Sequence, residues 1–190
     1  MTSRALSGTE AKRLHREWRR RTEGRVALLL DGVQQPYNVG SIVRTAAAFR
    51  AEHLWIAGVS AVTPDHPKSR KTSLGTERLL PWSVWPDVAA AVDGVRAAGF
   101  ALVGVELATE ATPLTDVAIG GPVCLVVGHE ERGLSKAAIA FCDAIGFVPT
   151  PGKVGSLNVA VATGIALYEV RRREWISDAG SEAAGIDLDP

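Results

Sequence analysis

Cysteine, methionine and aromatic residues are scarce in this chain. Its 190 residues include two cysteines, one methionine and 6% aromatics. Cys124 lies in "VCLVV" and Cys142 in "AFCDA", with no C-x-x-C pair. Apolar settings of this kind point to buried reduced thiols rather than a disulfide, a metal site or a nucleophile. His15, His53, His66 and His129 show no metal-ligand spacing, so no metal is expected. Long apolar runs are missing as well. None approaches the ~20 residues that cross a bilayer, and "MTSRALSGTEAKRLHREWRRR" lacks the apolar segment of a signal peptide. The expected location is the cytoplasm, away from membranes. Three common motifs are also absent: a G-x-G-x-x-G after the first strand, a G-x-x-x-x-G-K-[ST] loop and a G-x-S-x-G elbow. That removes support for a dinucleotide site, a P-loop and a hydrolase nucleophile.

The rest of the composition is that of a soluble globular domain, with 46% hydrophobic and 22% charged residues. The length suits one domain with a real core. A formal net charge of +0 conceals an asymmetry. Arg4, Lys12, Arg13, Arg16, Arg19, Arg20, Arg21 and Arg25 crowd the start, against Glu10, Glu17 and Glu23. Glu174, Asp178, Glu182, Asp187 and Asp189 follow the last base, Arg173. A basic arm suggests a polyanionic partner, although a merely solvated helix explains the charge equally well.

Ser7 and Glu10 have capping-box spacing, and Ala11, Leu14 and Trp18 fall on one stripe, so a basic amphipathic helix is predicted. "RVALLLDGV", "HLWIAG", "FALVGVEL", "PVCLVVG" and "AIGFVP" read as strands. "RLLPWSVW" reads as an edge strand because of Pro81. Helices are predicted for "VGSIVRTAAAFR" with Asn38 as N-cap, for "PDVAAAVDGVRAAG" with Pro86 near N1, for "SKAAIAFC", and from Asn158 to Arg173. Residues 58–76 read as a long polar loop. The expected organisation is a basic helical arm over 1–25, one domain over 26–173 and a disordered acidic tail over 174–190. Strands alternating with helices mean an α/β fold with a mostly parallel sheet and helices on both faces.

Ligands of such sheets bind beyond the C-terminal strand ends. Three polar, glycine-bearing loops are expected there: "NVGSIVR" with Asn38, Gly40 and Arg44; "GHEERG" with Gly128, Glu130 and Gly133; and "PTPGKVGSLN". Each alone reads as a cap or a turn. Together they read as a site, because turns need neither Arg nor Glu.

These loops resemble the three motifs of the SpoU-type ribose methyltransferases of the SPOUT class. The first is N-x-G-x-x-x-R at Asn38 to Arg44. The second is "LVVGHEERGLS" at 125–135, and the third is "VPTPGKVGSLNVAVA" at 148–162. The resemblance spans residues 26–173 in the family's order. It implies a C-terminal trefoil knot, a homodimer and S-adenosylmethionine bound in the knot loops. By motif position, the cofactor contacts fall on Gly128, Val148 and Leu157. Arg44, Asn38, Glu130, Ser156 and Asn158 take the catalytic positions. Arg44 is implied to activate a ribose 2′-hydroxyl. A guanidinium stays protonated, so stabilising the developing alkoxide or gripping a phosphate is the alternative role.

The implied reaction is RNA 2′-O-methylation. The short basic arm and Arg171, Arg172 and Arg173 favour tRNA over rRNA, with a D-loop guanosine as target. Lys68, Arg70 and Lys71 of "HPKSRKTS" are expected to hold phosphates. An rRNA enzyme, a catalytically silent RNA-binding or assembly factor, and a base-nitrogen methyltransferase are the competing readings.

Overall fold

The computed structural model describes residues 3–58 and 61–179. By internal contacts they divide into a unit from Arg25 to Val170 and a smaller one formed by the chain up to Gly24 and from Arg171 onward.

The larger unit is built on seven strands: β1 (Val26–Asp31), β2 (Leu54–Ala57), β3 (Trp82–Trp85), β4 (Ala101–Val105), β5 (Thr112–Pro113), β6 (Val123–Gly128) and β7 (Ala144–Phe147). The order across the sheet is β3-β2-β1-β6-β4-β7-β5. All its strand pairings are parallel. The fold is therefore α/β, as expected, and β3 is an edge strand, as Pro81 suggested. The two-residue β5 was not foreseen, since its single Thr-Pro step carries no periodicity.

The continuous apolar runs follow from burial on both faces. Val26, Leu28 and Leu30 of β1 pack with Val39, Ile42, Val43 and Ala46 of α2 (Pro36–Ala48) and with Ala166 and Leu167 of α6 (Val159–Ala179). Ala27 and Leu29 point the other way. They meet Ala91, Val92 and Val95 of α4 (Val88–Ala97) and Ala138 of α5 (Lys136–Phe141). Each such Leu, Ile or Val contributes about 1.5–3 kcal/mol by leaving water.

Several helix boundaries differ from the sequence expectation. α2 begins at Pro36, with Gln35 as its N-cap, because proline's fixed φ suits the first helical position. Asn38 is thus inside the first turn, free to use its side chain elsewhere. α4 is capped by Asp87, whose side chain accepts from the Ala90 N–H at 2.9 Å, which leaves Pro86 outside the helix. The polar loop holds a helix, α3 (Pro67–Ser73), and a 3₁₀ turn (Thr76–Arg78). No apolar stripe announced α3 because its buried residues are Ser69 and Ser73.

In the smaller unit, α1 (Gly8–Arg20) carries the expected capping box. The Ser7 N–H donates to Glu10 Oε2 at 2.7 Å, and the Glu10 N–H donates to Ser7 Oγ. Ala11, Leu14 and Trp18 are the partly shielded stripe, while Lys12, Arg13, Arg16, Arg19 and Arg20 are exposed. Trp18 meets Trp175 edge-to-face at 4.8 Å. α6 continues past Arg173, so Glu174 and Trp175 are helical rather than the start of a tail. Glu174 accepts from the N–H groups of Glu23 and Gly24. Arg171 is 1% exposed and donates to Gly24 O at 2.6 Å and to Glu174 at 3.1 Å. Its charge is engaged inside this unit, which weakens its use as an argument for tRNA. The tail acids Glu182, Asp187 and Asp189 lie outside the described residues.

Candidate active site

β6, β4 and β7 are neighbours in the sheet, and the loops after their C-terminal ends line a cavity of about 210 Å³. The sequence pointed to the loops after β1, β6 and β7. The structure places the loop after β4 in the wall instead, through Val105, Glu106 and Leu107. Gly128, Val148 and Leu157 all line the cavity, as do Glu130 and Ser156. Asn38, Asn158 and Arg44 do not.

The loop after β6 is folded tightly. The His129 N–H donates to Gly133 O at 3.0 Å, and the Gly133 N–H donates back to His129 O at 2.9 Å. A Cβ on Gly128 would lie 2.2 Å from the Gly133 carbonyl carbon, so only glycine fits. Gly133 has φ +65°, and a Cβ there would lie 2.1 Å from Glu106 Oε2. The His129 ring is turned into its own loop, where Nδ1 accepts from the Glu131 N–H at 3.1 Å.

Glu106 escaped the sequence reading. Its Oε2 accepts from the Leu134 N–H at 2.9 Å and its Oε1 from the Leu107 N–H at 2.9 Å. It thereby ties the β4 loop to the β6 loop across the cavity rim. The signal was present: a carboxylate directly after "FALVGV", at the sheet end where ligands bind.

Asn38 and Asn158 join the site from behind. Glu130 Oε1 accepts from Asn38 Nδ2 at 2.9 Å and from the Gln35 N–H at 2.9 Å, while Oε2 takes the Gln34 N–H at 3.2 Å. Asn38 Oδ1 then accepts from Asn158 Nδ2 at 3.0 Å. Asn158 Oδ1 accepts from the Ala160 N–H at 2.9 Å and the Val161 N–H at 3.3 Å, so it caps α6. Both amides are held in one orientation, with donors and acceptors matched end to end. Partial burial would raise the Glu130 pKa. The hydrogen bonds from Asn38, Gln35 and Gln34 outweigh it and hold the carboxyl below its usual range. Glu130 is thus a fixed acceptor.

Arg44 is exposed on α2 and makes no hydrogen bond or ion pair with a described residue. Gly40 faces α3 rather than the cavity: a Cβ there would lie 2.0 Å from Ser69 O.

The cavity combines apolar walls (Val105, Val127, Phe147, Val148, Leu157) with carboxylates at Glu106, Glu130 and Glu131. Apolar walls with a few placed polar groups are the makings of a small-molecule site. Among the described residues no cluster of His, Cys, Asp and Glu could hold a metal ion, and no helix is long and apolar enough to cross a membrane.

Residues 25–168 match the SpoU rRNA methylase family. The 23S rRNA (guanosine-2′-O-)-methyltransferase RlmB of Xanthomonas axonopodis pv. citri is 37% identical over 155 residues, which are 78% of this chain and 59% of that protein. The chain thus spans about three-fifths of that relative's length. Among solved structures, the SpoU methyltransferase AviRb from Streptomyces viridochromogenes in complex with the cofactor AdoMet superposes with a TM-score of 0.73 at 35% identity, covering 82% of this chain and 62% of that one. The A. aeolicus TrmH/SpoU tRNA modifying enzyme superposes with a TM-score of 0.70 at 26% identity, covering 89% of this chain and 85% of that one.

Proposed function

The chain belongs to the SpoU rRNA methylase family, and from that premise we propose that it is an S-adenosylmethionine-dependent RNA ribose 2′-O-methyltransferase. One observation carries the reading: Glu130, Asn38 and Asn158, one from each motif, form a continuous hydrogen-bonded chain behind the cavity that Gly128, Val148 and Leu157 line.

The cavity fits the cofactor. Gly128 lets the β6 loop fold tightly at the cavity wall, the apolar walls suit an adenine, and the carboxylates suit a cationic ligand. Gly128, Val148 and Leu157 would hold it, largely through backbone groups. When bound, S-adenosylmethionine supplies a methyl group already activated by a sulfonium. The protein's part is then alignment and the management of one proton. Glu130 fixes Asn38, and Asn38 with Asn158 and Ser156 orients the ribose. Arg44 carries a guanidinium, which favours the alkoxide that forms as the 2′-hydroxyl loses its proton, or grips the adjacent phosphate.

The chain acts as a homodimer on this reading. Support comes from Val161, Ile165 and Tyr168, a stripe on α6 that is 51%, 40% and 50% exposed. The family's knot goes with it. The cavity loop from Thr150 to Leu157 leads directly into α6, which returns to pack on β1. The protein works in the cytoplasm.

An rRNA guanosine is the favoured target, because RlmB is named for that reaction. tRNA is the second reading. It is favoured by the coverage of the A. aeolicus tRNA enzyme and by the exposed bases of α1. Tritium transfer from labelled cofactor to separated rRNA and tRNA, followed by mass-spectrometric mapping of ribose methylation, tests both. Transfer to neither RNA, with intact RNA binding, would establish the silent-factor reading instead.

A further inference from the structure

We propose that α3 and the adjoining edge of α2 form a grip for the sugar-phosphate backbone of the acceptor RNA, with Lys68 and Lys71 as phosphate contacts and Gly40 as the residue that seats α3. The assignment rests on the reading that the acceptor is RNA.

Gly40 belongs to the first motif but has no part in the cavity wall. Its missing side chain is filled by α3: a Cβ would lie 2.0 Å from Ser69 O and 2.2 Å from Thr72 Oγ1. Any other residue would push the two helices apart. Thr72 Oγ1 lies 3.0 Å from Tyr37 O and 3.2 Å from Ser69 O, which pins α3 to the first turn of α2.

α3 does not add an apolar face to the core. Its fully buried residues are Ser69 and Ser73, and Ser69 Oγ has no hydrogen-bond partner among the described residues. An unpaired buried hydroxyl is unfavourable, so this seating is poorly explained by stability. What the helix presents outward is charge. Lys68, Arg70 and Lys71 are all exposed. Arg70 leans toward Glu77 at 3.9 Å. Lys68 and Lys71 make no ion pair or side-chain hydrogen bond with a described residue, and at i and i+3 they share one edge. The nearby acids are engaged: Asp65 with Thr63 Oγ1, and Glu77 with Ser73 Oγ. Arg44 stands one turn along α2 from Gly40. One polyanionic strand can therefore meet Lys68, Lys71 and Arg44 on adjoining surfaces, and charge complementarity selects a phosphate backbone.

The test uses the full chain and the RNA that the wild type methylates. Binding is titrated from 50 to 200 mM salt, and S-adenosylmethionine affinity is measured separately by calorimetry. For Lys68→Glu/Lys71→Glu, RNA binding should weaken at least tenfold. The log–log salt slope should become shallower by about 2, with cofactor affinity and Tm unchanged. Lys68→Arg/Lys71→Arg should bind RNA as the wild type does. Gly40→Ala should weaken RNA binding in the same direction; the surface double variant keeps the test decisive if Gly40→Ala does not fold. Lys136→Glu, on the opposite face of the sheet, controls for net charge. RNA affinity within about twofold of wild type for the double variant, or an equal per-charge effect from Lys136→Glu, would overturn the assignment. A wild-type protein that neither methylates nor binds RNA would overturn the underlying reading as well. A methylating wild type with an indifferent double variant would overturn only the grip.

Discussion

Asn38 and Asn158 are 120 residues apart in the chain and share a 3.0 Å hydrogen bond, Asn158 Nδ2 to Asn38 Oδ1. Asn38 in turn donates to Glu130, and Asn158 caps α6. One amide pair thus connects the first turn of α2, the loop after β6 and the start of α6. Unfolding of Asn38→Ala, Asn158→Ala and the double variant should give a coupling of about 0.5–1.5 kcal/mol, the usual net worth of such a bond. Strict additivity in urea denaturation would show that the bond contributes nothing in solution.

Glu130 links stability to pH. Its folded pKa lies below the unfolded value of about 4.3. The stabilisation is therefore complete above that value and is lost as the pH falls through the lower folded one. Glu130→Gln should flatten the pH dependence of unfolding on the acid side. Urea midpoints at intervals between pH 6 and pH 3 measure this, and parallel curves for the two proteins would count against the assignment.

Glu106 should behave as a positioning residue for the cofactor cavity. Glu106→Ala strips the Leu134 and Leu107 N–H groups of their acceptor. Leaving a partly buried donor unpaired costs about 1–3 kcal/mol. Calorimetry should show weaker S-adenosylmethionine binding for Glu106→Ala, with Glu106→Gln recovering most of it, since an amide oxygen still accepts one N–H. Equal affinity in all three proteins would argue that the latch is dispensable.

Gly128→Ala should be more damaging. The new methyl would meet the Gly133 carbonyl carbon at 2.2 Å, and backbone cannot rotate aside as a side chain does. The β6 loop must open, so cofactor binding should be lost while the β1–β6 core persists. Retained far-UV circular dichroism with no calorimetric binding signal is the expected result.

Both thiols should be inert in the native state. Cys124 is fully buried, which pushes its pKa up. Cys142 is half-buried, and burial, then the adjacent Asp143 carboxylate, raises its pKa to about 11. Little thiolate exists at pH 8, and thiolate is the reactive form. Alkylation by iodoacetamide at pH 8 should be slow in buffer and fast in urea. Rapid native labelling of Cys142 would contradict this.

Local pattern was enough for the sheet and the motif loops. Apolar runs marked the strands because both sheet faces are covered, and Ser7 with Glu10 marked the start of α1 because a capping box closes within three residues. The motif residues around Gly128 and Asn158 were legible for the same reason: they lie in short segments of fixed spacing. α3 was not legible, since its inner face is serine and threonine and follows no apolar period. Arg171 was counted among the bases that favour tRNA, since a chain of charges does not reveal that Gly24 O and Glu174 engage a buried one of them. The β4 loop of the cavity, the latch at Glu106 and the task of Gly40 came from the tertiary structure alone. Each depends on which strands lie side by side and how closely two helices approach, and those are set by crossovers between distant segments rather than by any local spacing.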